Sequence, residues 1–452
     1  MPATRETLLE PDALFAALEP PFDETVAVSE AARCLDCGGP AAPAPCLVAC
    51  PAGVDVPGFV AAIAQGDSRA AAAIIFSANV LGGSCARVCP ADELCEGACV
   101  LATGARRPLE IARLQRFATD RAFSRGLPLR RPPPRNGKRI AVIGAGPAGL
   151  ACAAELATLG YAVTVYDARS ELGGLLRYAI APYRQLREPL PQEVERIAAL
   201  GVHFELHYPI DSPERLRAIA RDADAVFLGI GLGADVGVRY PGDELPGVWN
   251  SLPFIEALKV GEPPAVGPRV AVIGGGNTAI DVAREAVRLG AVDVTILYRR
   301  TEAEMPAYPH EVKEARAEGV RFRWLTTPVR FLATSGRLDR VECQRMRLGS
   351  PDASGRRRAE AVPASEFIVP ADTVIKAVGQ ERRTAFLGWI DGLELKDGLI
   401  VIDPATGQTT HPKYFAGGDA VNGGATVVEA VRAAKVAAHG IHGVLAAAER
   451  AA

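Results

Sequence analysis

The 452-residue chain has almost no net charge, with 50 Lys and Arg against 53 Asp and Glu for a formal −3. Neither a basic excess nor a basic block dominates, which argues against a nucleic-acid clamp and against a polybasic membrane binder. Long apolar runs are missing too, since none approaches the roughly 18 residues that a membrane span needs. The opening MPATRETLLE lacks the basic-then-apolar pattern of a secretory signal. The expectation is therefore a soluble, cytoplasmic protein with no nucleic-acid and no membrane partner. Cysteine is scarce over most of the chain, where only Cys152 and Cys343 lie outside residues 34–99. The other eight of the ten crowd into that window, and in a reducing compartment such crowding points to metal before disulfides. What is abundant is apolar: 49% of residues are hydrophobic, enough for a large core and too much for a disordered scaffold. The length suits about three domains.

Along the chain, residues 1–129 read as short helices around cysteine-bearing loops, with periodic segments at 58–80 and 108–123. Residues 130–139, RRPPPRNGKR, cannot continue a helix and read as a linker. From Ile140 the pattern changes to β-branched runs, each followed by glycines and an Ala-rich helix, the signature of βαβ units on a parallel sheet. The unit occurs twice, at 140–167 and 270–300. DAVFLGIG (224–231), DTVIKAVGQ (372–380) and KYFAGGDAV (413–421) are expected to return strands to the first sheet. The expected division places the first dinucleotide domain at 140–255 and 371–452 and the second at 256–370.

Gly144, Gly146 and Gly149 follow the strand IAVI and open a helix as G-x-G-x-x-G, with Pro147 and Ala148 between them. In a dinucleotide site these glycines permit a tight turn, close approach of the pyrophosphate and close helix-to-strand packing. The phosphate then meets backbone N–H groups at the positive helix end. Asp167 ends the next strand, where a carboxylate can accept from adenosine ribose hydroxyls. Gly274, Gly275, Gly276, Asn277, Thr278 and Ala279 repeat the arrangement, with alanine in the third small position. No acid ends the strand that follows; Arg299 and Arg300 stand there. They either offer donors to a 2′-phosphate, favouring NADPH over NADH, or are solvated loop charges. Two nucleotide folds imply two nucleotides, most economically FAD beside NADPH or NADH.

This arrangement resembles the two-dinucleotide-fold flavoproteins that include thioredoxin reductase and the glutamate synthase small subunit. The resemblance implies FAD in the first fold, NAD(P)H in the second, and a C-terminal Gly-Asp motif closing the flavin site. Here that motif is Gly417, Gly418 and Asp419, with the following helix start near Thr426 and Val427 facing the flavin ring. Gly173, Gly174, Leu175 and Arg184, in GGLLRYAIAPYR, are the flavin contacts it implies. Thioredoxin-reductase chemistry also needs a redox Cys-x-x-Cys by the flavin, and no such pair lies near the second fold.

The cysteines form two groups, Cys34-x2-Cys37-x8-Cys46-x3-Cys50-Pro51 and Cys85-x3-Cys89-Pro90-x4-Cys95-x3-Cys99. Structural zinc remains open from spacing alone, while the run ending in Cys-x3-Cys-Pro is closer to bacterial ferredoxin. Residues 29–123, through SEAARCLDCGG, CPAGVDVPGF, CARVCPADELCEGAC and RLQRFATD, resemble the N-terminal half of dihydropyrimidine dehydrogenase and its separate bacterial flavin subunit. That resemblance implies two 4Fe-4S clusters, one on Cys34, Cys37, Cys46 and Cys99, the other on Cys50, Cys89, Cys95 and Gln115. Cys85 is left over.

The fold class is thus α/β, with two Rossmann-like domains of the FAD/NAD(P) disulfide-reductase type behind an α-helical domain binding two 4Fe-4S clusters. The expected role is electron input: NADPH or NADH gives hydride to FAD, and clusters pass single electrons to a partner subunit. That partner would be a glutamate synthase large subunit or an FMN-barrel dihydropyrimidine dehydrogenase subunit. A free-standing NAD(P)H oxidoreductase of the ferredoxin or sulfide type is the alternative. Hydride transfer needs no general acid or base, so no catalytic side chain is assigned, and Glu304, His310 and Glu311 are read as surface groups.

Overall fold

The computed structural model describes residues 20–39, 42–103, 106–126, 133–351 and 357–451. Among them the chain forms two compact units, Glu19–Ile180 with Arg187–Leu232 and Arg382–Ala452, and Ala181–Leu186 with Gly233–Glu381.

The first unit begins with helices. The periodic stretch at 58–80 is two of them, Val56–Ala64 and Ser68–Ala78. Gly66 breaks it by taking φ +76°, and Asp67 caps the second helix by accepting from the Ala70 N–H at 2.9 Å. The helix Gly82–Val88 follows, and Ile111–Ser124 closes the cysteine region. The expected linker at 130–139 lies partly outside the described residues. The strand behind it starts at Arg139.

A five-stranded parallel sheet carries the first dinucleotide fold, in the order Tyr414–Ala416, Ala225–Leu228, Arg139–Ile143, Ala162–Tyr166, His203–Glu205. The strands expected from DAVFLGIG and KYFAGGDAV are both in it, paired with each other. One continuous apolar cluster joins Phe59, Ile75 and Leu114 of the helical region to Leu150 and Leu156 behind the first glycine turn and Ile441 of the last helix, Val427–Ala451. The helical region and the first dinucleotide fold therefore share a core.

The second unit holds its own five-stranded parallel sheet, in the order Val248–Asn250, Thr373–Ala377, Arg269–Gly274, Asp293–Leu297, Arg321–Arg323. This corrects the expected boundaries of 256 and 370. The strand from DTVIKAVGQ pairs with Arg269–Gly274 in the second sheet, not with the first. A strand buried along its whole length carries no mark of which sheet it joins; pairing partners chosen across a hundred residues decide it. Beside this sheet lies an antiparallel one of Thr326–Thr334, Arg337–Pro351 and Arg357–Pro370, the last two paired with each other as the strands of a long hairpin. Among the described residues no single helix is long and apolar enough to cross a membrane.

Candidate cofactor and cluster sites

In the first unit the glycine turn is shaped by backbone approach. Gly144 takes φ +95°, and a β-carbon there would meet the Gly229 carbonyl at 2.5 Å. At Gly149 it would stand 1.8 Å from the Gly144 carbonyl, whereas at Gly146 it would meet only Gly174 Cα, at 3.9 Å. The helix Pro147–Thr158 starts directly behind, with Gly146 at its N-cap and no side chain capping its N–H groups. Gly146 thus leaves an open cradle over a helix N-terminus, the place a pyrophosphate takes. Gly174, at φ +53°, faces it from the other side, and the Gly173 N–H donates to the Ala145 carbonyl at 2.9 Å. Leu175 begins the next short helix.

Asp167 accepts from the Ala145 N–H at 2.7 Å and the Arg169 N–H at 2.8 Å. A carboxylate has about four acceptor sites, so capacity remains for ribose hydroxyls. Gly418, at φ +73°, lies against Ala148 of the same helix. Asp419 accepts from the Ala425 N–H at 3.1 Å, and burial pushes its carboxyl above the usual range. Thr426 and Glu429 cap the last helix reciprocally, the Thr426 N–H donating to Glu429 and the Glu429 N–H to the Thr426 hydroxyl. Val427 opens that helix. Arg383, which motif reading does not single out, donates to the Leu232 carbonyl at 2.9 Å and feels the Asp167 charge.

Arg184 is placed elsewhere than expected. It belongs to the second unit, where it pairs with Asp281 at 2.9 Å and Glu311 at 2.5 Å. The Tyr183 hydroxyl donates to the same Asp281 oxygen. The guanidinium is committed to two carboxylates of that fold, so its expected role as a flavin contact is withdrawn. Glu311 is likewise no surface group, being 4% exposed. Burial would raise its carboxyl, but His310 and Arg184 outweigh that and hold it at about 2. Glu304 caps a short turn with Thr301, and His310 stacks on Tyr308.

The second glycine turn repeats the first. At Gly274 a β-carbon would sit 2.1 Å from the Ala377 carbonyl, and at Gly275 it would enter the Tyr298 ring. At Gly276, the N-cap of helix Asn277–Arg288, it would meet nothing within 4 Å. Ala279 is fully buried behind the turn. Thr278 is half-buried in the first turn, and Asn277 accepts from the Tyr308 N–H at 2.9 Å. At the strand tip Arg299 and Arg300 line a groove with Arg358, Ala359 and Glu360 of the hairpin. Arg358 escaped sequence reasoning; its signal is the run Arg356-Arg357-Arg358, 58 positions beyond Arg300.

Cys34, Cys37, Cys46 and Cys99 face one cavity, walled otherwise by apolar groups such as Val56, Leu101, Leu109 and Ile111. Burial disfavours thiolate there, raising Cys34 and pushing Cys46 up to about 11. A tetrahedral zinc holds each sulfur within about 2.3 Å of one ion. Among the described residues no three His, Cys, Asp or Glu side chains are gathered for a single ion, and four thiols around a cavity suit a larger iron–sulfur group. The thiols of Cys50, Cys85 and Cys95 all act on Cys89, where a hydrogen bond with Cys85 and burial hold the thiol well up. Cys95, raised by burial, also feels Cys50. Cys85 is thereby drawn into the second group. Gln115 donates its amide N–H to the Gly82 carbonyl at 2.7 Å, at the start of the helix that carries Cys85 and ends at Cys89.

Residues 12–127 match the family described as dihydropyrimidine dehydrogenase domain II, 4Fe-4S cluster. Residues 83–236 and 138–434 match the pyridine nucleotide-disulphide oxidoreductases. The chain is 41% identical to the Moorella thermoacetica NADP(+)-dependent formate dehydrogenase subunit beta, over 86% of this chain and 58% of that one. It is 38% identical to the Escherichia coli glutamate synthase [NADPH] small chain, over 94% and 93%. It thus spans little more than half of the first relative and nearly all of the second. Of solved structures, Mycobacterium tuberculosis FprA in complex with NADPH superposes with TM-score 0.57 at 20% identity, covering 71% of this chain and 86% of that one. The thioredoxin reductase of T. acidophilum gives 0.52 at 18%, over 68% and 99%; both likenesses concern the fold alone. By these matches the chain belongs to the pyridine nucleotide-disulphide oxidoreductase family, as a relative of the glutamate synthase small chains, and carries a 4Fe-4S domain ahead of its dinucleotide folds.

Proposed function

We propose that the chain is an electron-input subunit that oxidises NADPH and delivers single electrons to a catalytic partner subunit. The observation that carries this is the four-cysteine cavity, built into the same compact unit and the same core as the first glycine cradle. When bound, FAD supplies the two-electron to one-electron conversion and the clusters supply one-electron conduction.

The residues' part is placement. Gly146 and Gly174 leave room for the flavin pyrophosphate at the N-terminus of Pro147–Thr158, and Asp167 takes the ribose. Gly418 brings Asp419 and the start of Val427–Ala451 against that helix, where the helix's positive end favours electron density on the ring. In the second unit Gly276 leaves the nucleotide phosphates open access to Asn277–Arg288. Cys34, Cys37, Cys46 and Cys99 would hold one cluster; Cys50, Cys89, Cys95 and the Gln115 oxygen would hold the second. The apolar walls at Val56, Leu109 and Ile111 exclude water from the first.

Coverage of 93% of the E. coli glutamate synthase small chain favours a glutamate-synthase-type large subunit as partner over an FMN-barrel subunit. Anaerobically purified protein should carry FAD and about eight irons, and NADPH should bleach the flavin and raise a cluster signal. Zinc in place of iron, or a bleached flavin with no cluster signal in iron-loaded protein, would end the reading.

A further inference from the structure

About half of the described arginines of the second unit have a carboxylate partner. Arg184 pairs with Asp281 and Glu311, Arg284 with Glu311, Glu314 and Glu318, Arg269 with Asp372, and Arg347 with Glu360. The groove at the tip of strand Asp293–Leu297 gathers three that have none. Arg299, Arg300 and Arg358 share it, and among the described residues none of the three has a carboxylate at ion-pair distance. Its one acid, Glu360, is engaged by Arg347 at 3.2 Å.

The hairpin is fastened to this place. The Arg300 Nε–H donates to the Arg357 carbonyl at 3.0 Å. The Leu325 N–H donates to the Arg300 carbonyl and the Met346 N–H to the Leu325 carbonyl, at 3.0 and 2.8 Å. Arg357 folds back onto the Gly349 and Leu348 carbonyls of the opposite strand. By strand alternation Arg358 then leaves the opposite face from Arg357, together with Glu360. Three like charges gathered without a counterion repel one another, and a dianion offering several oxygens relieves the repulsion while taking planar donors from each.

We propose that Arg358 is a specificity residue, the arm by which the hairpin completes a site for a phosphomonoester dianion, the 2′-phosphate of NADPH. This rests on the nicotinamide-nucleotide reading above and adds to it an element that a two-arginine strand tip lacks. Arg358 is exposed, so its replacement leaves the fold intact.

The test compares parent, Arg358→Ala, Arg358→Glu, Arg358→Lys and Arg299→Ala. Calorimetry of adenosine 2′,5′-bisphosphate, 5′-AMP and inorganic phosphate is set beside flavin reduction by NADPH and NADH. Arg358→Ala should weaken the bisphosphate and raise KM for NADPH about tenfold, the loss of one charge-assisted contact. kcat, 5′-AMP binding and the NADH reaction should stay at the parent level. Arg358→Glu should cost more, and Arg358→Lys should recover part. An unchanged NADPH-to-NADH ratio in the Ala and Glu variants overturns the proposal. If Arg299→Ala shifts that ratio and Arg358→Ala does not, the hairpin is excluded while the nucleotide reading stands. If inorganic phosphate binds as tightly as the bisphosphate, through Arg358, the groove is a phosphate site and the proposal fails. If neither nucleotide reduces the parent's flavin, the underlying reading fails with it.

Discussion

Gly146 and Gly149 stand three residues apart in one turn and are needed for different reasons. A methyl group at 149 would overlap the Gly144 carbonyl at 1.8 Å, and no rotamer can relieve a clash with backbone. At 146 it would touch only Gly174 Cα at 3.9 Å, so the protein has room for it and the pyrophosphate has not. Gly146→Ala should therefore fold and melt, as apoprotein, like the parent, while losing FAD. Gly149→Ala should lose several kcal/mol of stability through overpacking, of the order of 3 or more. Flavin content per folded molecule together with apoprotein melting separates the two, and equal melting losses would refute the distinction. Arg184 shows what motif reading misses at this scale. It stands inside a flavin-side motif, yet its charge is claimed by Asp281, 97 positions away, and local sequence holds no sign of that partner.

The helix Gly82–Val88, which positions Cys85 and ends at Cys89, has no side-chain cap of its own. Its first N–H groups, of Gly83 and Ser84, donate to Glu193 at 2.8 and 3.0 Å, a carboxylate on the helix Leu190–Ala199. Burial pushes the Glu193 carboxyl up to about 7, against the pull of those hydrogen bonds and of Arg87. The native protein therefore keeps this proton to higher pH than the unfolded chain, whose carboxyl titrates near 4.3. The contribution is full below about pH 4.3 and is lost as pH rises through about 7, a change of about 4 kcal/mol. Glu193→Gln retains an acceptor oxygen and removes the proton. Its stability should fall less than the parent's between pH 5 and 8, as read by denaturant melts at stepped pH; parallel slopes would refute it.

Across the whole molecule, the helical cysteine region is no appendage. Its Phe59, Ile75 and Leu114 lie in one apolar cluster with Leu150, Leu156 and Ile441. Lys435 of the last helix donates to the Ala52 and Ala78 carbonyls at 3.0 and 2.8 Å, and Arg196 lies over the Phe76 ring at 4.3 Å. Shared burial makes such parts unfold together. On heating, cluster absorbance should be lost and flavin fluorescence released at the same temperature. Two well-separated transitions would mean that the regions unfold independently.

The amino-acid order alone determined the ligand types and the glycine turns. A thiolate or a missing β-carbon is a property of one residue, and the spacing of Cys34, Cys37 and Cys46 is local; Cys99, which only the family resemblance joined to them, comes from 53 positions beyond Cys46 to face the same cavity. It also determined the repeated βαβ pattern, because periodicity is local as well. The tertiary structure alone decided that Thr373–Ala377 joins the second sheet, that Arg184 answers Asp281, and that Arg358 returns to Arg299 and Arg300 across 58 positions. Strand pairing and charge pairing are settled by which surfaces meet once apolar area is buried, and that choice is made by the whole chain at once.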